Sequence, residues 1–590
     1  MSRIKAALLG AVATGFIAFP ASADPVPVGT AVGDVEFFPA NGGGAKLGVA
    51  DGAGLNGTYT LGAGEVLDLD AATNAVAPDG DANGAVGVGS GAEGTVNIDG
   101  AGAALNLNGD ANGAKTFTDF QIGLSSAIGT VNVLNGGLLD LSAPTLESIA
   151  TQSSGLKLGR DGGTGTLNVD DGTVSVSSTS GALMFIGRET AGTGIVNLDN
   201  GSSLTVHDQD ATDNAGLDIA NVVLGRSDGT GTMTVDGGSS VIVKSERSDA
   251  NFKVGRDTGS DGTLVVTGAS TVDITGAAGE GPLAGTYDNT IFGGIFTNLA
   301  VGQQNGSTGT ATVSDNSVVT VGGNDPENHA RLRIADQSGA TGDVTVSSGG
   351  RIDVSGTQGR VLVGAGDGVD GGSGTLSVTG ANSMVTASEL VQIGSVTGLG
   401  NTAAAVALSD GGSIVAPEIF LGSNGLLTGD GGSVVGNLFL EGGVIAPGSS
   451  PGTMLIDGDL EINSGFLEIE IAGTGPGLFD ILQVTGDLIA PGGIDLELLF
   501  VASFLPSLGE VFPFLQVGGD ASDFTPSNIR LSVAGLPSGY EFDLSGDNGT
   551  FGAEVTAVVA PVPLPAALPL FAAGLAVLGL AGWRRSRAAT

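Results

Sequence analysis

LKLGRDGGTGTLNVDDGTVSVS, residues 156–177, holds the unit from which most of this chain is built. It reads as three short strands, Leu156–Leu158, Thr166–Val169 and Thr173–Val176, each alternating apolar and polar residues. Alternation puts one side chain inward and the next into water. Asp-Gly and Gly-Gly pairs lie between the strands, where tight turns need positive φ. The unit recurs as FIGRETAGTGIVNLDNGSSLTV at 185–206, VVLGRSDGTGTMTVDGGSSVIV at 222–243 and FKVGRDTGSDGTLVVTGASTVDI at 252–274. Weaker copies are marked by an apolar-Gly pair at Gly89, Gly123, Gly302, Gly364, Gly394 and Gly422, with Ala335 in that slot once. Most intervals are 28 to 38 residues. One such coil cannot bury its inner face alone, whereas stacked coils can. The expectation is an all-β chain: a right-handed parallel β-helix, or β-solenoid, over residues 84–436.

Composition agrees with a narrow aliphatic core. The chain has 590 residues, 106 of them Gly, with 41% hydrophobic but only 4% aromatic residues. Glycine without a strict triplet period excludes collagen, and the Val, Leu and Ile content separates the chain from low-complexity disorder. There is no cysteine, hence no disulfide framework, thiolate metal site or cysteine nucleophile. The formal charge of −42 argues against nucleic acid, which needs a basic footprint. A solvated, self-repelling surface and weak multivalent capture of cations are both compatible with it.

The two ends differ from the body. Residues 1–23 carry Arg3 and Lys5, an apolar stretch from Ala6 to Phe19, then Ala21-Ser22-Ala23, the n-region, h-region and small-residue cleavage site of a secretory signal. Cleavage is expected after Ala23, with an uncleaved anchor as the alternative. At the other end Val562-Pro563-Leu564-Pro565-Ala566 precede an uncharged run from Ala566 to Trp583, followed by Arg584, Arg585 and Arg587. Those 18 residues span roughly 27 Å as a helix, the lower limit for a bilayer core. Arginines beyond the run favour a cytoplasmic C-terminus, and Trp583 stands where an interfacial aromatic belongs. Neither end contains an acidic residue, so the body between them is more acidic than the whole.

The tail resembles the VPLPA variant of the PEP-CTERM sorting signals of Gram-negative bacteria: VPLPA at 562–566, an apolar helix at 566–583, then an arginine cluster. The resemblance implies recognition by an exosortase-type membrane protease, removal of the helix, and transfer to the cell surface or exopolysaccharide matrix from an inner-membrane-anchored precursor. An ordinary C-terminal anchor is the plainer alternative. The repeat is similar to those of PEP-CTERM-associated proteins and autotransporter passenger domains. GGVIAPGSSPGTMLIDGDLEI at 442–462 and FDILQVTGDL at 479–488 look like the end of an autotransporter passenger. Autotransporters continue into a β-barrel; the expectation here is that the tail replaces it.

Around the solenoid, residues 24–83 read as an N-terminal cap, 437–560 as a passenger-like β region with a C-terminal β cap and linker, and 561–590 as the sorting signal with its transmembrane helix. Candidate chemistry is sparse. His207 and His329 have no spaced partner for a metal site or triad and read as loop histidines. Gly364–Gly372 is similar to one calcium-binding nonapeptide of RTX β-rolls, but tandem copies are missing and a polar Gly-Asp turn suffices. Arg160, Arg188, Arg226 and Arg256 stack beside Asp161, Glu189, Asp228 and Asp257. That pattern fits a surface ion-pair stripe, with a carbohydrate-binding stripe as the alternative. The insertion Gly276–Asn298 is glycine-rich and gives no support to a lyase-like cleft. The function expected is a structural or adhesive protein of the cell surface, exopolysaccharide or biofilm matrix, with no catalytic residues, cofactor or metal. The competing readings are a β-helix polysaccharide enzyme and a calcium-dependent adhesin.

Overall fold

The computed structural model describes residues 28–558, apart from 39–44, 71–81, 110–117, 144–153, 180, 210–218, 247–248, 277–295, 323–328, 357, 366–370, 396–402, 449–450 and 548. Among the described residues none is helical. The strands form three stacks of parallel strands, and each coil contributes one strand to each stack. In the coil at 156–177 these strands are Ser154–Arg160, Thr164–Asp170 and Thr173–Ser178. They pair in register with Ala182–Arg188, Thr193–Asp199 and Ser203–Asp208 of the next coil. We call the three stacks the first, second and third sheets in that order.

Alternation along each strand sends one residue in two into the interior. Leu158, Ile186, Leu224, Val254, Val301 and Ile334 form one such inward column, each paired in register with the next and at most 1% exposed. Large rings are few inside the coils; Phe120 and Phe252 are fully buried there.

The marker glycine sits where the chain leaves the first sheet. Gly187 has φ +72, and a Cβ there would lie 1.8 Å from the carbonyl oxygen of Thr230 in the next coil. Ala335, in the same slot, pays for its side chain with a positive φ of 56. In the coil at 82–108 the register pairs Val86 with Ile122 and Val88 with Leu124. The marker there is therefore Gly87 and not Gly89. The corner between the second and third sheets is held by a buried serine ladder. The Ser202 amide donates to Ser239 Oγ at 3.1 Å, Ser239 to Ser270 at 3.2 Å, and Ser270 to Ser317 at 3.1 Å.

The stacks extend past both ends of the expected 84–436. Ala45–Asp51, Asn56–Leu61 and Val66–Asp70 already form a coil beneath 82–108. At the other end coils continue to Val511–Val517. The late coils carry no turn signature because Gly432–Pro447 is one unbroken strand that serves all three sheets. Gly436 lies between two of its pairing segments and Gly442 at the irregular end of another (φ +128 and +108), in place of loops.

Both ends are covered, as exposed coil edges require. Thr30–Gly33 and Val35–Phe38 run antiparallel over the second and first sheets of the opening coil. Tyr59 donates its hydroxyl to the Val28 carbonyl and meets Phe37 edge to face, 5.5 Å between centroids. The N-terminal cap thus begins as two short strands, and 45–70 belongs to the solenoid. At the far end Ile529–Ala534 adds to the second sheet in parallel. Thr550–Ala557 closes the third sheet antiparallel and pairs with Glu541–Asp547. Phe479, Phe500, Phe504, Phe512 and Phe542 pack this cap, which explains the denser aromatics of 489–560.

Gly187→Ala should cost more than Gly238→Ala. Both residues have positive φ, but a Cβ on Gly238 meets nothing within 4 Å. Strain alone is worth about 1 kcal/mol, at the low end of the 1–3 kcal/mol range for such residues; the clash at Gly187 adds to it. Equal losses in thermal unfolding of the two variants would refute this account of the marker glycine.

Candidate functional site

The sorting residues Val562–Ala566, Trp583, Arg584, Arg585 and Arg587, and the cleavage residues Ala21 and Ala23, lie outside the described residues. Among the described residues no helix is long and apolar enough to cross a membrane; the run 566–583 is not among them. Asp367 and Asp370 of the acidic turn also lie outside. No group of three or more His, Asp or Glu side chains among the described residues is placed to hold a metal.

The expected arginine stripe forms on the outer side of the first sheet. Arg160, Arg188 and Arg226 are paired in register. Glu189 bridges two of them, 2.6 Å from Arg160 Nε and 2.9 Å from Arg188 Nε. Asp257 bridges Arg226 at 3.2 Å and Arg256 at 3.4 Å. Burial pushes Glu189 up, but the hydrogen bond and charge of Arg160 and the charge of Arg188 outweigh it and hold its carboxyl below the usual range. Burial, with Arg256 and Arg188 close by, lowers Arg226. The guanidinium carbons of Arg188 and Arg226 lie 5.2 and 4.9 Å from the Phe185 ring centroid, within cation–π range. Phe185, Leu183 and Val223 make a small apolar cluster there. In places this sheet is buried on its outer side too: Asn221, Asn251, Lys253 and Arg331 are all under 9% exposed. Burial, with Arg333 and Arg360 adjacent, brings Arg331 down to about 9. The arginines and acids of the stripe are matched to each other.

His207 stands on the outer side of the third sheet, in register with Ser177 and Lys244. Its Nε2 is 2.9 Å from Glu246 Oε1, which Lys244 also reaches at 2.6 Å. His329 is half-buried at the start of a first-sheet strand; burial, with Arg331 and Arg360, lowers its pKa. The two histidines stand on different sheets and do not converge.

The second sheet carries an array that the repeat signature contained but the strand-by-strand reading passed over. Thr-Gly-Thr-x-Asn and its variants align in register, so that outward residues form columns. Thr58, Thr95, Thr130 and Thr166 make one, and Asn97, Asn132, Asn168 and Asn197 another. The amides are chained: Asn197 Nδ2 donates to Asn168 Oδ1 at 2.9 Å, Asn168 to Asn132 and Asn132 to Asn97 at 2.8 Å each, and Asn97 to Thr60 Oγ1 at 3.2 Å. The signal was an asparagine recurring three residues after a glycine, at Gly94, Gly129, Gly165 and Gly194.

At the corner between the third and first sheets, late coils leave an open groove of about 530 Å³ lined by Val354, Ala387, Pro417, Val435 and Asp457. Further on, the two passenger-like motifs meet. The buried Asp480 carboxylate accepts the Gly452 N–H at 2.7 Å through Oδ1 and the Glu470 N–H at 2.7 Å through Oδ2. It ties the Pro451-Gly452 turn to the last coils.

No known protein family's profile matches the chain. No curated protein matches it either.

Two outcomes follow. Glu189→Gln should destabilise the chain by under about 1 kcal/mol at low salt and by nothing measurable near 1 M salt, as for a partly exposed ion pair; a salt-independent loss would contradict the stripe's surface character. Burial pushes Asp480 up to about 7, against its two amide bonds and helped by Glu470 and Glu468. A carboxyl raised on folding gives stability that is full below its unfolded value and lost as pH rises through its folded value. Unfolding of the C-terminal coils should therefore become easier from pH 5 to pH 8, and Asp480→Asn should flatten that slope. A wild-type slope of opposite sign in urea unfolding would reject the assignment.

Proposed function

We propose that this chain is an exported structural or adhesive rod of the cell surface, exopolysaccharide or biofilm matrix. In this reading the sequence at 1–23 directs export and is removed after Ala23. The tail at 562–590 holds the precursor in the inner membrane through a helix at 566–583. An exosortase-type protease then recognises Val562–Ala566 and releases the body.

The observation that carries the reading is the unbroken stack of coils from Ala45 to Val517, capped and then joined to the tail at Ala557, shortly before Val562. A regular rod gains reach by adding coils and offers the same faces at every level. Such a body suits a surface or matrix component held at one end. The internally matched arginine stripe agrees with a structural role for that side of the rod.

Intact-mass analysis of the protein recovered from producing cells tests the reading. The expected product starts at Asp24 and ends near the VPLPA motif. A product still ending at Thr590 would make the tail a permanent anchor. Deleting 562–590 should move the protein from the envelope to the medium; envelope retention of that truncation would place the anchoring elsewhere.

A further inference from the structure

We propose that the outer face of the second sheet binds a neutral, hydroxyl-rich polysaccharide laid along the axis of the solenoid. The proposal deepens the matrix reading by naming the face and the ligand's charge class. It rests on that reading only for where such a polymer would be met.

Three observations on that face converge. The first is access. From Asp51 to Ile334 the connections on both flanks of the second sheet are short turns, while the long connections join the third sheet to the first. The outer side of the first sheet is buried from Leu183 to Lys253 except at its arginine stripe, whereas on the second sheet Thr130, Asn132, Thr166 and Asn168 are half-buried and Asn197 is exposed. The second sheet is thus a long face open to a stiff partner.

The second is hydrogen-bonding capacity. Asn97, Asn132 and Asn168 each spend one N–H and one carbonyl lone pair on their neighbours, and each retains a second N–H and a second lone pair. The column beside it offers a hydroxyl at Thr58, Thr95, Thr130, Thr166 and Thr232, with Ile195 the one interruption among them. The spacing is about 4.8 Å along the axis and about 6.6 Å across the strand. Sugar hydroxyls both donate and accept, so they can replace water on such an array bond for bond. Each exchange contributes little alone, but a polymer meets the ladder on four successive coils, from Asn97 to Asn197, and the contacts multiply through tethering.

The third is charge. The strands Glu93–Asp99, Ile128–Leu134, Thr164–Asp170, Thr193–Asp199, Thr230–Val235 and Asp261–Val266 contain no lysine or arginine. Asp99, Asp170 and Asp199 stand at the rim of the columns and are exposed. An acidic polymer is therefore repelled. The columns also lack the aromatic and arginine anchors on which a protein partner would be held.

The test uses the full chain, purified in detergent, in affinity electrophoresis through gels containing hydroxyethyl cellulose, dextran, galactomannan or, as the acidic comparison, alginate. Migration should be retarded by at least one neutral polymer, equally at low and high salt, and not by alginate. Asn132→Ala with Asn168→Ala should weaken that retardation at least tenfold. Thr130→Val with Thr166→Val and Thr232→Val removes hydroxyls while keeping side-chain shape and strand preference, so it should fold and also bind more weakly. Ser175→Ala with Thr205→Ala, on the third sheet, should bind as the parent does. The proposal is overturned by retardation in none of the neutral gels, by retardation only in alginate, or by parental binding in both second-sheet variants. Inhibition of ice recrystallisation without polymer binding would also overturn it, marking the array as a water-ordering surface. These readouts do not depend on tail processing. A chain that binds but keeps Thr590 refutes only the sorting scheme, and a chain that is sorted but never retarded refutes only this face.

Discussion

The strand N–H and C=O groups in a coil of this chain point up or down the axis, toward another coil. That single constraint organises the rest. A lone coil would leave its polar backbone unpaired and its Leu, Ile and Val side chains wet; a second coil in register answers both at once. Stability therefore lives in the interfaces between levels. The caps at Thr30–Phe38 and Thr550–Ala557 are needed because the stacking rule has no natural stopping point. The same rule turns side chains into ladders. Once Gly165 faces Gly194, Asn168 must face Asn197, and what one coil exposes the next exposes 4.8 Å away, roughly.

How much of this could be read from residues alone depended on where each signal lies. The strands at 154–178 sit within two residues of their expected bounds, because alternation and Gly-bearing turns report both the inward face and the corners. The opening and closing coils were assigned to the flanking regions for the opposite reasons. At 45–70 the alternation is present, but Ala50, with φ +52, stands where later coils have glycine. At 432–447 the corners shrink to single glycines within one strand, so the loop punctuation disappears. The slip from Gly87 to Gly89 has the same origin: in a Val-Gly-Val-Gly stretch only the pairing partner decides which glycine is the corner.

The outer faces were harder still. The arginine stripe was legible because Gly-Arg repeats at a fixed place, and its acids were nearby in sequence. The geometry adds that Glu189 and Asp257 each serve two arginines from neighbouring levels. The asparagine ladder needed register, since its partners are about thirty residues apart in sequence and meet only through the three-strand period. Asp480 needed the third dimension entirely: it reaches Gly452 across a gap of 28 residues, which joins two motifs that sequence presents as separate.

The uneven lengths of the coils carry one more consequence. Up to Ile334 nearly all of the variation sits at the corner where the third sheet passes to the first, so a coil can take on extra residues without becoming taller. Height counts levels, not amino acids. A lineage can therefore elaborate one edge of the rod, trying longer or shorter excursions there, while the pitch of every other face stays fixed. Growth in reach and change in decoration are separate variables in this molecule, altered by different kinds of mutation: duplication of a level for the first, insertion at one corner for the second.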